Sequence, residues 1–223
     1  MKTILFLSFT TLSTCFFAQV KTAPLHVNVF NAAGKAIQGD KILFVGQTNH
    51  DTYSGITNEA GTFLIHLPEG QVYDIRIKSI GESLEYNELE IPALPADQFY
   101  SENTLTITYE VAKNYTLNQL QFESGKATIK TSSFALMNDL VEIMLLKTTM
   151  KIQIAGHTDS DGEAADNLLL SQQRANAVRT YLINKGIAPS RIIAIGYGET
   201  KPIGDNNTIE GKAKNRRTEV SIL

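Results

Sequence analysis

The stretch AGHTDSDGEAADN, Ala155 to Asn167, crowds four acids, one histidine and one threonine into a few residues. A catalytic zinc would draw on several His, Cys or carboxylate ligands, and His157, Asp159 and Asp161 offer a single imidazole with no second ligand cluster. His26, His50 and His66 stand elsewhere at no ligand spacing and read as strand-face or loop residues. The string Asp159-Ser160-Asp161-Gly162 is not a calcium loop, because its glycine comes two residues too early and the distal glutamate is missing. Acid–base cleavage of a glycan needs carboxylates on both sides of a sugar groove. Asp159 and Asp161 share one loop and have no aromatic sugar platform beside them. GYGETKP, from Gly196 to Pro202, lacks the G-K-[ST] ending of a phosphate loop, so its glycines serve a tight turn. With these set aside, a plain helix cap and a non-catalytic grip on something charged remain open, and neither needs a metal or a cofactor.

The surrounding elements decide where such a grip sits. MKIQI ahead of the cluster reads as a buried strand, and DNLLLSQQRANAVRTYLINKG behind it as a long helix stopped at Gly186. The loop between them carries Asp159, and Arg174 lies two turns into the helix, so both can face one cleft. Upstream, YTLNQLQF predicts a strand, and TSSFALMNDLVEIMLLK a helix capped by Ser132 or Ser133 with Leu136, Leu140, Ile143 and Leu146 inward. RIIAIGYG and RRTEVSIL predict two further strands. Strands alternating with helices over about 110 residues predict a compact two-layer α/β sandwich.

The first half has a different rhythm. LHVNVF and YDIRIKSI alternate at strand period, and Gly- or Pro-bearing turns separate such runs at short spacing. That pattern predicts an all-β antiparallel sandwich. Charge divides the same way: residues 19–110 carry 5 basic and 12 acidic side chains, whereas residues 111–223 carry 14 and 11. The second half's small excess falls far short of the basic face that nucleic acid requires. Before both halves, MKTILFLSFTTLSTCFFAQ has the charged start and short apolar run of a secretory leader. Cleavage after Ala18 and lipidation at Cys15 are the two processing alternatives, and either leaves no free thiol for a disulfide. The expected organisation is a signal peptide over 1–18, a β-sandwich over 19–111 and an α/β module over 112–223.

Two resemblances accompany these readings. GKAIQGDKILFVG and TNEAGTFLIHLPEGQVYDIRI resemble the carboxypeptidase regulatory-like, transthyretin-like sandwich over roughly residues 24–108. That family implies a spacer or adhesion module without catalysis, for which an outer-membrane or envelope protein is a candidate partner. GHTDSDGEAADNLLLSQQRA, followed in order by GYGETKP and NNTIEGKAKNRRTEV, resembles the OmpA-like C-terminal domain shared with Pal lipoproteins and the MotB stator. One departure is Lys212, which stands where arginine is more usual and is expected to face solvent.

The second resemblance implies an exported, non-catalytic protein of the periplasm or outer membrane of a Gram-negative bacterium. It would bind peptidoglycan through the diaminopimelate of the stem peptide and tether an envelope component to the wall. The alternative is a protein–protein scaffold of an envelope or secretion complex. By the same resemblance, Asp159 and Arg174 are the ligand pair, Asn167 and Arg217 supporting contacts, and Phe122, Glu123 and Ser124 another wall. The chemistry agrees: an amino-acid head group presents an ammonium suited to aspartate and a carboxylate suited to arginine's planar fork. For Asn167, helix capping competes with ligand contact, and the residues do not choose between Arg216 and Arg217. His157 is expected to order the loop by hydrogen bonding.

Overall fold

The computed structural model describes residues 21–81 and 83–223. The leader and both of its processing alternatives lie outside the described residues. Strand β1 (Thr22–Phe30) buries Leu25, Val27 and Val29, and β5 (Gln71–Ile77) buries Tyr73, Ile75 and Ile77, as period-2 alternation requires. β1 lies between β4 (Thr62–Pro68) and β7 (Asn103–Thr108) in one sheet. The second sheet runs β3-β2-β5-β6, built from Thr52–Ile56, Lys41–Gly46, β5 and Leu84–Ile91. Both sheets feed one core, in which Val27, Val29, Leu67 and Ile107 meet Phe44, Tyr73 and Ile75. The pairing is antiparallel except between β1 and β7. After β6 the chain crosses from one sheet to the other through residues 92–102, so β7 reaches the edge of β1 running the same way.

The second half holds a mixed sheet in the order β10-β9-β11-β8, with β8 over Asn114–Thr116, β9 over Ile152–His157, β10 over Ile192–Gly198 and β11 over Thr218–Ile222. Helices α1 (Phe134–Leu146) and α2 (Ala164–Asn184) close a second core of Met137, Leu140, Met144, Ile154, Val178, Leu182 and Val220. A short α3 (Ile209–Asn215) precedes β11. Fold class therefore follows expectation: β-sheets first, then helices on a mixed sheet.

Local departures have local causes. The strand expected over YTLNQLQF ends at Thr116: one further bond toward β11, Leu117 N–H to Thr218 O, follows, and the chain then turns, Leu120 N–H to Leu117 O. Ser133 stands at the N-cap of α1 but makes no capping bond. Its hydroxyl instead binds the preceding loop, accepting from Gln121 N–H at 2.8 Å and donating to Gln119 O at 3.1 Å. Leu136, Leu140 and Ile143 are buried as expected, whereas Leu146 near the helix end is only partly covered.

The halves meet across α1. Lys41 Nζ lies 2.8 Å from Glu142, and Lys78 Nζ lies 2.7 Å from Asp139. Buried Asp40 pairs with Lys147 and accepts from the Tyr109 hydroxyl. Burial, followed by the neighbouring Asp40 carboxylate, pushes the Tyr109 phenol far above its ordinary pKa, keeping it a donor. Among the described residues, no helix is long and apolar enough to cross a membrane.

Candidate functional site

The cluster lies where β9 ends and α2 begins. Thr158 N–H donates to Gly198 O at 3.0 Å, which ties the loop's start to the end of β10. Gly162 turns the chain at φ 94°, a conformation that favours glycine. Helix α2 presses closely on the strands below it. A Cβ at Gly156 would sit 2.3 Å from the Ser171 carbonyl oxygen, and one at Gly196 would sit 2.2 Å from Gln172 N. The Ser171 hydroxyl accepts from Gly198 N–H and the Gln172 side-chain carbonyl from Gly196 N–H, both at 2.8 Å.

Asp159 is the centre of the arrangement, with 9% of its side chain exposed. Its Oδ1 accepts from Asp161 N–H at 3.2 Å, and its Oδ2 meets Arg216 Nη1 at 2.5 Å. A carboxylate has about four acceptor positions, so capacity remains for a further donor. Arg174 makes no ion pair with Asp159. Its Nε donates to Lys126 O at 3.1 Å, and its guanidinium carbon lies 5.1 Å from the centre of the Phe122 ring. Its two Nη groups have no hydrogen-bond partner among the described residues. Burial pulls the Arg174 pKa down, Asp159 opposes that, and Arg216 adds to it, so the three charges share one neighbourhood.

The remaining expected residues divide by role. Phe122 is half-buried and pairs with Ile129 at the base of a hairpin, which carries Glu123, Ser124 and Gly125 at φ 66°. Glu123 is exposed and ion-pairs with Lys126 at 3.1 Å, and Ser124 is exposed. Asn167 is buried, and its amide donates to Asp161 O at 3.1 Å and Glu199 Oε2 at 2.8 Å, with a longer contact of 3.3 Å to Asp159 O. It thus pins the loop and does not cap the helix. Arg217 turns into the sheet, its Nε 2.6 Å from Glu219 and its Nη2 on Lys201 O at 3.2 Å. Its neighbour Arg216 is the one that faces Asp159. Strand spacing carried a signal for this, since residues two apart share a face and Glu219 follows Arg217 by two.

Two expectations need correction. Lys212 does not simply face solvent: its Nζ lies 2.7 Å from Asp161 Oδ1, joining α3 to the cluster loop. His157 does not hydrogen-bond the loop through its ring, since neither ring nitrogen has a hydrogen-bond partner among the described residues. Its ring stacks on Tyr197, centroids 5.4 Å apart, and Lys201 covers the Tyr197 ring at 3.6 Å. Burial, then the nearby Arg217, lowers the His157 pKa to about 4, so the imidazole is neutral at neutral pH. Among the described residues no three His, Cys, Asp or Glu side chains converge as a metal site would need.

The OmpA family matches residues 121–216, which include Phe122, Asp159, Asn167, Arg174 and Arg216. Over 119 residues the chain is 33% identical to the peptidoglycan-associated lipoprotein of Buchnera aphidicola, covering 53% of this chain and 68% of that protein. The chain belongs to the OmpA family. Within that family it is 43% identical over 103 residues to outer membrane porin F of Pseudomonas fluorescens, covering 46% of this chain and 32% of the porin. Among solved structures, the peptidoglycan-associated lipoprotein from Burkholderia pseudomallei is 25% identical with a TM-score of 0.45, covering 50% of this chain and 91% of that one. The chain spans 32% to 53% of the length of four other curated relatives that it matches, the Pseudomonas fluorescens porin among them. The OmpA match begins at Gln121, and the family of the N-terminal sandwich is not identified.

Proposed function

We propose that the protein is a non-catalytic component of the cell envelope that holds peptidoglycan non-covalently through the diaminopimelate of its stem peptide. The observation that carries this is the incompletely used Asp159 carboxylate, which is paired with Arg216 and lies within electrostatic range of Arg174. The ligand's ammonium takes the spare acceptor positions of Asp159, and its carboxylate takes the free Nη groups of Arg174. Phe122 supports Arg174 from beneath, and Asn167 holds the loop in shape. The names of relatives support the ligand class: besides the peptidoglycan-associated lipoprotein, the chain is 33% identical over 103 residues to the peptidoglycan-binding protein ArfA of Mycobacterium bovis.

In this reading the N-terminal sandwich is the spacer that presents an envelope partner to the wall, and the boundary between the units falls between residues 111 and 112. Co-sedimentation of the purified protein with intact sacculi tests the reading, with meso-diaminopimelate as competitor. Pelleting that diaminopimelate reverses is the expected result. A folded protein that stays in the supernatant would favour a scaffold that contacts other proteins only.

A further inference from the structure

A groove of about 410 Å³, lined in part by Arg216, the partner of Asp159, runs between the chain just after β8 and the residues around α3. Leu117, Leu120, Ile203 and Ala213 give it apolar walls. Its charged lining residues are Lys214, Arg216 and Arg217, and no acidic residue lines it. Arg217 is already neutralised by Glu219, but Lys214 has no ion-pair or side-chain hydrogen-bond partner among the described residues. Arg216 belongs to both places. Its Nη1 holds Asp159, and its Nε and Nη2 have no partner among the described residues. A groove with one uncommitted ammonium, the unbonded edge of an arginine already paired with Asp159, apolar walls and a residue shared with the head-group site is complementary to a short peptide that bears a carboxylate.

We propose that this groove holds the peptide segment attached to the head-group residue, with Lys214 and the free edge of Arg216 receiving a carboxylate of that segment. The proposal rests on the head-group reading above and adds to it a second contact that free diaminopimelate cannot make. Exposed Ile203 on the facing wall would cover the apolar part of the segment.

Isothermal titration with two probes tests it: free meso-diaminopimelate, and a tripeptide of alanine, γ-linked glutamate and meso-diaminopimelate whose glutamate keeps a free α-carboxylate. The tripeptide should bind the wild-type chain more tightly than diaminopimelate, and amidation of its α-carboxylate should abolish the difference. Lys214→Glu and Ile203→Glu each alter an exposed side chain, so the fold is retained. Each should weaken the tripeptide by about tenfold while leaving free diaminopimelate within about twofold. Equal affinity for both probes, or for the amidated and free tripeptides, would overturn the groove and leave the head-group site standing. A variant that weakens both probes alike would also overturn it, since Lys214 would then act only through the Asp159 site. Failure of both probes to bind the wild-type chain would remove the head-group reading and this extension together.

Discussion

Arg216 and Arg217 show how neighbouring side chains of the same type acquire different work. Arg217 is buried against Glu219, so replacing it with alanine leaves a partly buried carboxylate unpaired and lowers stability. Arg174 makes no ion pair, and alanine there should leave the melting temperature nearly unchanged, whereas alanine at Asp159 removes a well-covered pair with Arg216 and should lower it as well. Each change strands one charge of the ligand in a partly desolvated place, at about 2–5 kcal/mol of binding free energy. Titration of both single variants and the double should show that the double loses little more than either alone, because one head group is held as a unit. Unchanged affinity in both singles would leave Asp159 with Arg216 as a structural pair only. His157 predicts a pH effect. Its folded pKa, about 4, lies below the ordinary 6.5, so between these values the unfolded chain binds more protons. Its contribution is complete above about pH 6.5 and is lost progressively as pH falls toward 4, up to about 3 kcal/mol. Urea titrations at pH 7.5 and 4.5 should show this loss in the wild type and a smaller one in His157→Phe.

At the level of elements, the site depends on how closely α2 lies on β9 and β10. Gly156 and Gly196 permit that approach, with Ser171 and Gln172 bonding the strand end beneath the helix. Gly196→Ala places a methyl group 2.2 Å from backbone nitrogen, which cannot be relieved by turning a side chain. It should destabilise the protein by about 1–3 kcal/mol and, by lifting the helix that carries Arg174 and Asn167, weaken binding as well. Thermal melts and sacculus binding on one preparation check both effects. Arg174→Ala is the useful contrast, because it should affect binding far more than stability. Asn215, fully buried at the end of α3, uses its amide to hold Ile203 N–H, Gly204 N–H and Gly204 O, and so shapes the loop bordering the proposed peptide groove.

Across the whole molecule, the two cores are joined by ion pairs that span the junction, Lys41 to Glu142, Lys78 to Asp139 and Asp40 to Lys147. The first two pairs are partly exposed and contribute little each. Asp40 and Lys147 are well covered, so Asp40→Ala leaves a shielded ammonium unpaired and should cost about 2–4 kcal/mol. Scanning calorimetry should then resolve two transitions where the wild type gives a more cooperative one. A fragment from Val111 to Leu223 keeps its own core and every residue of the proposed site. It should fold and pellet with sacculi, at a melting temperature below that of the full chain. A fragment that folds and fails to pellet would place part of the grip in the first half.

Periodicity and local chemistry were enough to predict the change from a β-rich to an α/β half and the strand–loop–helix around Asp159, and motifs in sequence carried the resemblance to the OmpA-like domain. These are short-range properties, set by residues two, three or four apart and by motifs read in order. Pairings between distant segments were a different matter. The choice of Arg216 over Arg217 for Asp159, the link from Lys212 to Asp161 and the stacking of His157 on Tyr197 each join residues tens of positions apart. The diversion of Ser133 from capping its helix to binding Gln119 and Gln121 spans only 14 and 12 residues, yet it too lies beyond the reach of local periodicity. A side chain's partner is whichever group the packed chain brings within about 3 Å. Local sequence determines which groups can donate, accept or carry charge, and only the assembled sheet and helices determine which of them meet.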